Sequence, residues 1–149
     1  MSRETKDSKT QPVPSFVWTV LIILGVIDLI RGFMHTVLLE YAALNVAGLD
    51  LTTSTAADQL RLLGVFGISN WITGILFILI GFKAKHLALH VMGLIPITYG
   101  FSILAIRFNS SGYSETTADW GGLLLMIPYL AVCAITWLAG VIVMKRKRQ

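Results

Sequence analysis

Four long apolar stretches alternate with polar segments along the chain. They cover residues 16–39, 60–82, 87–106 and 120–144. Each has the roughly 20 residues that a helix needs to cross about 30 Å of hydrocarbon. The pattern predicts an all-α integral membrane protein, in which residues 15–144 form a bundle of four transmembrane helices.

The polar segments predict how these helices are joined. The longest of them, residues 40–59, begins with a mildly amphipathic stretch, which indicates a short helix lying at the interface. Near its end, Thr55 and Asp58 have the spacing of an N-cap followed by an acid in the first helical turn. Residues 83–86 are too few for anything but a tight helical hairpin, and residues 107–119 form a second polar loop.

Basic residues are concentrated on one side of the predicted membrane. Nine Lys and Arg lie in the polar tail 1–14, the hairpin 83–86 and the basic tail 145–149. The two other connections, counted with the adjoining residue 61, hold only Arg61 and Arg107 and five of the eight acids. Cytoplasmic loops carry the excess of Lys and Arg. We therefore expect both termini in the cytoplasm, the N-terminal one as a disordered tail. The net charge of +4 then reflects membrane anchoring, with a lipid bilayer and no nucleic acid as partner.

The composition agrees with a membrane protein. Only 13% of the residues are charged and 55% are hydrophobic, whereas a soluble domain carries about 25% charged residues. The single cysteine, Cys133, excludes an internal disulfide and any Cys-x-x-Cys redox or zinc motif. Because it lies in an apolar run, we interpret it as a buried, inert thiol.

The first span carries an unusual set of polar side chains. Asp28, Arg31 and His35 follow one another at helical spacing, which places them on one face. Inserting Asp28 and Arg31 at the centre of a membrane helix costs roughly 5–7 kcal/mol, and the apolar residues of the span return roughly 4.5–9 kcal/mol. The two sums nearly cancel. The polar face is therefore expected to look into the bundle, a wet cavity or a partner, and not into lipid.

Further polar residues are placed to complete an intramembrane polar site with this face. Asn70 and Thr73 lie near the middle of the second span, and Thr98 and Tyr99 lie in the third. Asp28 and Arg31 either pair with each other, contact a partner protein, or bind a proton, an ion or a polar headgroup. The sequence leaves these alternatives open.

Metal and haem binding are not predicted. His35 lies near the far end of the first span and His90 near the start of the third, so the two rings differ in depth by on the order of 20 Å. This separation argues against one haem held by both. No cluster of Cys, His and carboxylate has the spacing of metal ligands, so no cofactor is predicted, and a quinone remains an alternative.

Three spans share a frame in which two glycines are separated by six residues. Seven residues make two helical turns, so each pair lies on one face of its helix. Small residues on one face let membrane helices approach closely. We therefore expect helix packing at Gly25, Gly32, Gly67, Gly74, Gly93 and Gly100.

A resemblance to a known family rests on the first three spans. The glycine-rich first span ends in a charged or polar tail, and the second contains Gly67-x2-Asn70-x3-Gly74-x4-Leu79-x-Gly81. This combination resembles the small four-helix DoxX-like membrane proteins. The resemblance implies a four-helix bundle, which in some members is the membrane subunit of a quinone-linked oxidoreductase. Asn70 stands where the resemblance implies a carboxylate, so no site residue is taken from it.

The leading hypothesis for function is non-enzymatic. The spans carry no catalytic constellation, which favours an accessory or assembly subunit whose polar face and glycine surfaces meet another membrane protein or a second copy. One alternative is a small proton-coupled carrier with Asp28 as the titrating group. Another is a quinone- or lipid-linked membrane oxidoreductase subunit, in which Arg31 and His35 hold a polar headgroup.

Overall fold

A computed structural model describes residues 12–110, 122–147 and 149. Helices make up 85% of these residues, and no strand occurs among them. The predicted tail 1–14 and the loop 107–119 lie largely outside the described residues. The helices are α1 (Ser15–Thr36), α2 (Leu39–Asn45), α3 (Ala56–Lys83), α4 (Ala88–Asn109) and α5 (Gly122–Arg146).

Four of the helices, α1, α3, α4 and α5, are long and apolar enough to cross a membrane. This confirms the predicted all-helical fold class, with four helices that are able to span a membrane by their length and composition. The bounds of all four helices differ from the predicted spans by a few residues; α4, for example, ends at Asn109 and not at residue 106. α1 ends at Thr36 and not at Leu39, because the chain turns there into α2, and α3 begins at Ala56, four residues before the predicted start of the second span.

The connection between α1 and α3 contains the predicted short helix, α2. Thr55 holds the N-cap position of α3 and Asp58 lies in the first turn, as predicted. The Thr55 hydroxyl, however, makes no capping bond to the α3 backbone. It accepts instead a hydrogen bond from Gln59 Nε2 at 3.3 Å and lies 3.2 Å from the Thr53 hydroxyl.

The tight hairpin predicted over 83–86 joins α3 to α4 through Ala84 and a single 3₁₀ turn, Lys85–Leu87. The Lys85 ammonium lies 4.1 Å from the centroid of the Trp18 ring, a cation–π contact. This contact brings the start of α1 beside the hairpin. We call this end of the bundle the hairpin end and the opposite one the α2 end.

The first helix, α1, is the centre of the arrangement because it contacts each of the other four helices. Its most extensive packing is against α3, while α4 pairs with α5. Away from the hairpin, α3 and α4 have few contacts with each other. The helices are therefore packed tightly around α1 and loosely between α3 and α4.

Glycines explain the close packing of α1 on α3. A Cβ atom at Gly74 would lie 2.7 Å from the carbonyl oxygen of Gly25, and one at Gly25 would lie 2.9 Å from that of Gly74. Real Cβ atoms do not approach backbone atoms so closely, so the two helices touch backbone to backbone here. Gly32 lies against the Trp71 ring and Gly67 against Thr36 in the same interface.

The remaining glycines divide into packed and open positions. Gly93 packs against the Trp137 ring, whereas a Cβ atom at Gly100 would have no described neighbour within 4 Å. Two close approaches lie outside the predicted set. Gly81 packs against Ile22, and Gly140 packs against Leu89 and Val17.

Two apolar clusters lie at opposite ends of the bundle. The cluster at the hairpin end joins α1, α3, α4 and α5, and the fully buried Cys133 belongs to it, as the apolar run predicted. The cluster at the α2 end joins Ala42 and Ala43 of α2 to Leu63 of α3. The polar residues of α1 lie between the two clusters.

The loop after α2 carries one carboxyl group with a perturbed pKa. Asp50 Oδ1 accepts hydrogen bonds from the Thr52 hydroxyl at 2.7 Å and from the Thr52 backbone N–H at 2.9 Å. Both bonds favour the charged carboxylate and hold the pKa of Asp50 below its usual range. The turn is therefore formed above the usual pKa of aspartate and is lost as the pH falls through the lowered value.

The substitution Thr52→Val is expected to raise the pKa of Asp50 toward its usual range, because it removes the shorter of the two bonds and keeps the backbone one. An NMR titration of the Asp50 carboxyl carbon in detergent micelles measures this change. Thr53→Val is the matched control, since the Thr53 hydroxyl bonds the Asp50 carbonyl and not its carboxylate. Equal pKa values in wild type and Thr52→Val would contradict the assignment.

Candidate functional site

The centre of the site is the carboxylate of Asp28, which is only 3% exposed. Its Oδ2 accepts a hydrogen bond from the Tyr129 hydroxyl at 3.0 Å, and its Oδ1 lies 3.5 Å from Arg31 Nη1. Asp28 and Arg31, one turn apart on α1, therefore pair within the bundle. A strong charge-assisted bond between these groups is about 2.7–2.9 Å long, so this pair is a loose one.

Tyr129 was not among the residues predicted for the site. It reaches Asp28 from α5, 101 positions along the chain, and no local spacing links the two. One signal was available in the sequence. Tyr129 lies inside the fourth apolar stretch and away from its ends, whereas tyrosines in membrane helices gather at the water interfaces. An interior tyrosine needs a partner for its hydroxyl.

His35 and Asn70 form a second polar contact, between α1 and α3. Asn70 Nδ2 lies 3.4 Å from His35 Nδ1. Since an amide nitrogen only donates, the ring nitrogen is the acceptor, and the neutral imidazole then carries its proton on Nε2. The predicted meeting of Asn70 with the polar face of α1 therefore takes place at His35.

A third polar contact links the same two helices beside the second. Trp71 Nε1 donates to the Thr36 hydroxyl at 3.2 Å, and that hydroxyl donates to the Gly32 carbonyl at 2.7 Å. Neither Thr36 nor Trp71 was predicted. Their bond fixes the Trp71 ring in the place that Gly32 leaves open, so packing and hydrogen bonding act together.

The hydroxyl groups of Thr73 and Thr98 donate to their own helices. Thr73 donates to the Ser69 carbonyl at 2.9 Å, and Thr98 donates to the Leu94 carbonyl at 2.9 Å. Each oxygen keeps lone pairs that can accept. These residues therefore make the wall of the site polar without bonding Asp28 or Arg31.

A cavity of about 220 Å³ brings most of the predicted polar residues together. We call it the polar cavity. Its wall includes Asp28 and Arg31 of α1, Thr73 of α3 and Tyr129 of α5. Asn70, Thr98 and Tyr99 also line it. Because Thr98 is exposed and Tyr99 is 37% exposed, the polar cavity opens on the side of α4, where α3 and α4 are loosely packed.

A second cavity, of about 380 Å³, adjoins the first toward the α2 end. We call it the apolar cavity, because most of its wall is hydrophobic. Arg31, Asn70 and Tyr99 line both cavities, and His35 lines the apolar one alone. The remaining wall is made by Met34, Val46, Ala47, Leu63, Phe66, Leu125 and Met126.

All seven residues predicted for the polar site thus line one cavity or both. His90 does not join them, since it is the third residue of α4, at the hairpin end, and His35 is the last but one residue of α1, at the α2 end. Among the described residues, no three His, Cys, Asp or Glu side chains come together as metal ligands. The arrangement offers hydrogen-bond donors and a charged guanidinium beside an apolar chamber.

Removing the Tyr129 hydroxyl is expected to destabilise the bundle by about 1–2 kcal/mol, because the buried carboxylate of Asp28 then loses its shorter hydrogen bond. Unfolding of Tyr129→Phe in mixed micelles, followed by circular dichroism over a titration with dodecyl sulfate, measures the loss. Tyr99→Phe is the matched control, since its hydroxyl lines the same cavity and bonds no described residue. Equal stability of the two variants would contradict a role for Tyr129 in holding Asp28.

No protein-family model, no curated protein and no solved structure matches the chain. The DoxX-like resemblance therefore stays a prediction from the sequence, and the function rests on the two cavities and the residues that they share.

Proposed function

We propose that this chain is a non-enzymatic membrane protein that binds an amphipathic ligand between its helices. The polar headgroup is held by Arg31, Asn70 and Tyr99, and the apolar part lies in the apolar cavity. One observation carries the proposal: these three polar residues line both cavities. A ligand with one polar end and one apolar end matches such a pair of adjoining chambers.

The volume of the apolar cavity supports a small ligand. Sites for small molecules measure about 300–1,000 Å³, and this cavity, at about 380 Å³, is near the lower limit. It has room for one apolar chain or a small ring system. The two chains of a bilayer lipid need more space than the wall provides.

Access is proposed to be lateral, from the bilayer. The polar cavity opens beside Thr98 and Tyr99, and the second half of α4, residues 97–110, is almost entirely exposed. At the hairpin end, the buried cluster around Leu21, Phe77 and Met92 closes the bundle. A ligand dissolved in the membrane can reach the gap between α3 and α4 without crossing that cluster.

We further propose that the hairpin end faces the cytoplasm. Lys83, Lys85 and the basic end of α5 all lie there, together with the start of α1. The positive-inside rule assigns such a concentration of Lys and Arg to the cytoplasmic side. The ligand site then lies in the outer half of the bundle, because Arg31 is about 24 Å along α1 from Ser15 at 1.5 Å per residue.

The test is a purification in mild detergent followed by mass spectrometry of every small molecule and polypeptide that accompanies the protein. We expect wild type to carry an amphipathic compound and Met126→Trp, which fills the apolar cavity, to carry at least tenfold less. Ile127→Trp is the matched control, because the neighbouring side chain is 60% exposed and lines neither cavity. Equal ligand content in the two variants would refute the proposal.

A second candidate function, the accessory subunit, draws support from α4. Gly100 lies in the exposed half of that helix with no described neighbour within 4 Å of its Cβ position, and a small residue on an exposed membrane helix permits close packing of another helix. Asp28 does not support it, because the carboxylate is buried inside the bundle. A stoichiometric polypeptide in the same purification, absent from Gly100→Leu and present in Gly64→Leu, would establish this function.

A further inference from the structure

The charges around the two cavities point to the chemical class of the ligand. Arg31 is the one charged side chain that lines both cavities among the described residues. Its partner Asp28 lines only the polar cavity and is 3% exposed. No carboxylate of the described residues lines the apolar cavity. A headgroup at the boundary of the two chambers therefore meets the guanidinium and not the carboxylate.

The guanidinium has bonding capacity to spare. Arginine has five N–H donors in a planar fork, and the contact of Nη1 with Asp28 Oδ1 at 3.5 Å is its only polar contact to a described residue. The Arg31 side chain is 27% exposed, so its free donors face the cavities, where water or a ligand can accept hydrogen bonds from them. An anionic oxygen pair satisfies such a fork with two parallel bonds.

The neighbouring polar groups favour the same ligand. Tyr99 has a hydroxyl that bonds no described residue, and it lines both cavities beside Arg31. The His35 ring lines the apolar cavity, and its contact with Asn70 uses Nδ1 as acceptor, which leaves Nε2 as a donor. The groups that face the headgroup can therefore all donate hydrogen bonds.

We propose, resting on the proposed function, that the ligand is an amphipathic anion with a single apolar chain. Its carboxylate or phosphate lies against Arg31, Asn70 and Tyr99 with His35 on the apolar side, and its chain extends along Phe66, Leu125 and Met126. The walls that would receive the chain carry no charge among the described residues other than Arg31. A cationic amphiphile would place its charge against the guanidinium, and a neutral one would accept from Arg31 only through uncharged oxygens, whose bonds are weaker than those of an anion.

The experiment compares headgroups at a constant chain length in the wild-type protein. Purified protein in nanodiscs of zwitterionic lipid is photolabelled with diazirine-bearing hexadecanoic acid, hexadecyl phosphate, hexadecanol or hexadecylamine. The pH is alkaline, so that the carboxyl group is charged. Labelled peptides are quantified by mass spectrometry in competition with the unlabelled compound. We expect at least one of the two anions to label the wall of the apolar cavity with an affinity at least tenfold above that of the alcohol and the amine.

Variants test whether the Arg31 guanidinium is responsible for the preference for an anionic headgroup. The double variant Asp28→Asn, Arg31→Gln keeps the site free of an unpaired buried charge and is expected to bind the anion and the alcohol within about threefold of each other. Arg61→Gln is the matched control, because Arg61 is an exposed arginine at the α2 end that lines neither cavity. It should keep the wild-type preference.

The possible outcomes are distinguishable. If the alcohol labels the cavity as strongly as both anions in wild type, the anionic class is wrong and the proposed function stands. If no probe labels the cavity, and Met126→Trp changes nothing, the proposed function itself fails. If the carboxylate binds and the phosphate does not, or the reverse, the anionic class holds and the headgroup is identified.

Discussion

The substitution Gly74→Leu is expected to destabilise the bundle by more than about 3 kcal/mol, the upper end of the usual cost of overpacking. A side chain at position 74 would have to enter the space that the Gly25 backbone and the Leu29 side chain already fill, 2.7 and 2.9 Å from the Cβ position. Neither the backbone nor a packed helix can move aside locally. We therefore expect α1 and α3 to separate along their length.

Two further variants, Gly64→Leu and Gly74→Ala, show whether the loss of stability comes from the close packing at position 74. Gly64 lies on the same helix, and the nearest atom to its Cβ position is 4.0 Å away, so a leucine there is expected to be neutral or slightly stabilising. Alanine is a better helix former than glycine by about 0.8–1.0 kcal/mol. If packing were unimportant at position 74, Gly74→Ala would stabilise α3.

The measurement is the free energy of unfolding in mixed micelles, with dodecyl sulfate as denaturant and circular dichroism as the signal. The expected order of stability is Gly64→Leu close to wild type, then Gly74→Ala, then Gly74→Leu. An increase in stability for Gly74→Ala would show that the backbones of α1 and α3 are farther apart than the structure places them.

The glycine frame shows how far the sequence could go. Gly25 and Gly32 of α1 are seven residues apart, and so are Gly67 and Gly74 of α3. When two such helices pack antiparallel, the glycines of one helix can lie at the same levels as those of the other. The frame continues to Gly81, which the same arithmetic could have included. The frame could not show that Gly93 is packed and Gly100 is open, because packing depends on the residue that lies opposite each glycine. Trp137 lies opposite Gly93, and no described residue lies opposite Gly100.

The sequence could predict which residues form the polar site, but it could not predict which of them bond to each other. Hydropathy identifies Asp28, Arg31 and Asn70 because each is costly to insert into a membrane. This insertion cost is enough to predict that such residues lie in the interior of the bundle. The partners are decided by the rotation and tilt of whole helices. Those depend on many packing contacts, so the bond from Tyr129 to Asp28 and the bond from Trp71 to Thr36 have no signature in any local stretch.

The pairing of Asp28 with Arg31 gives the second large effect, for which a double-mutant cycle is the appropriate test. We expect Arg31→Met alone to destabilise the bundle by about 3–5 kcal/mol, because it leaves a carboxylate that is 3% exposed with a tyrosine hydroxyl as its only partner among the described residues. Asp28→Asn alone should cost less. The asparagine oxygen can still accept from Tyr129, and Arg31 lines two cavities in which water or a ligand can solvate it.

The double variant Asp28→Asn, Arg31→Met removes both charges and is expected to be more stable than Arg31→Met. A hydrophobic replacement of an ion pair often proves neutral once neither charge is left behind. The coupling energy from the four unfolding measurements should therefore be at least about 2 kcal/mol in favour of the pair. Additive single effects would mean that Asp28 and Arg31 act independently, and the carboxylate would then owe its place in the bundle to Tyr129 alone.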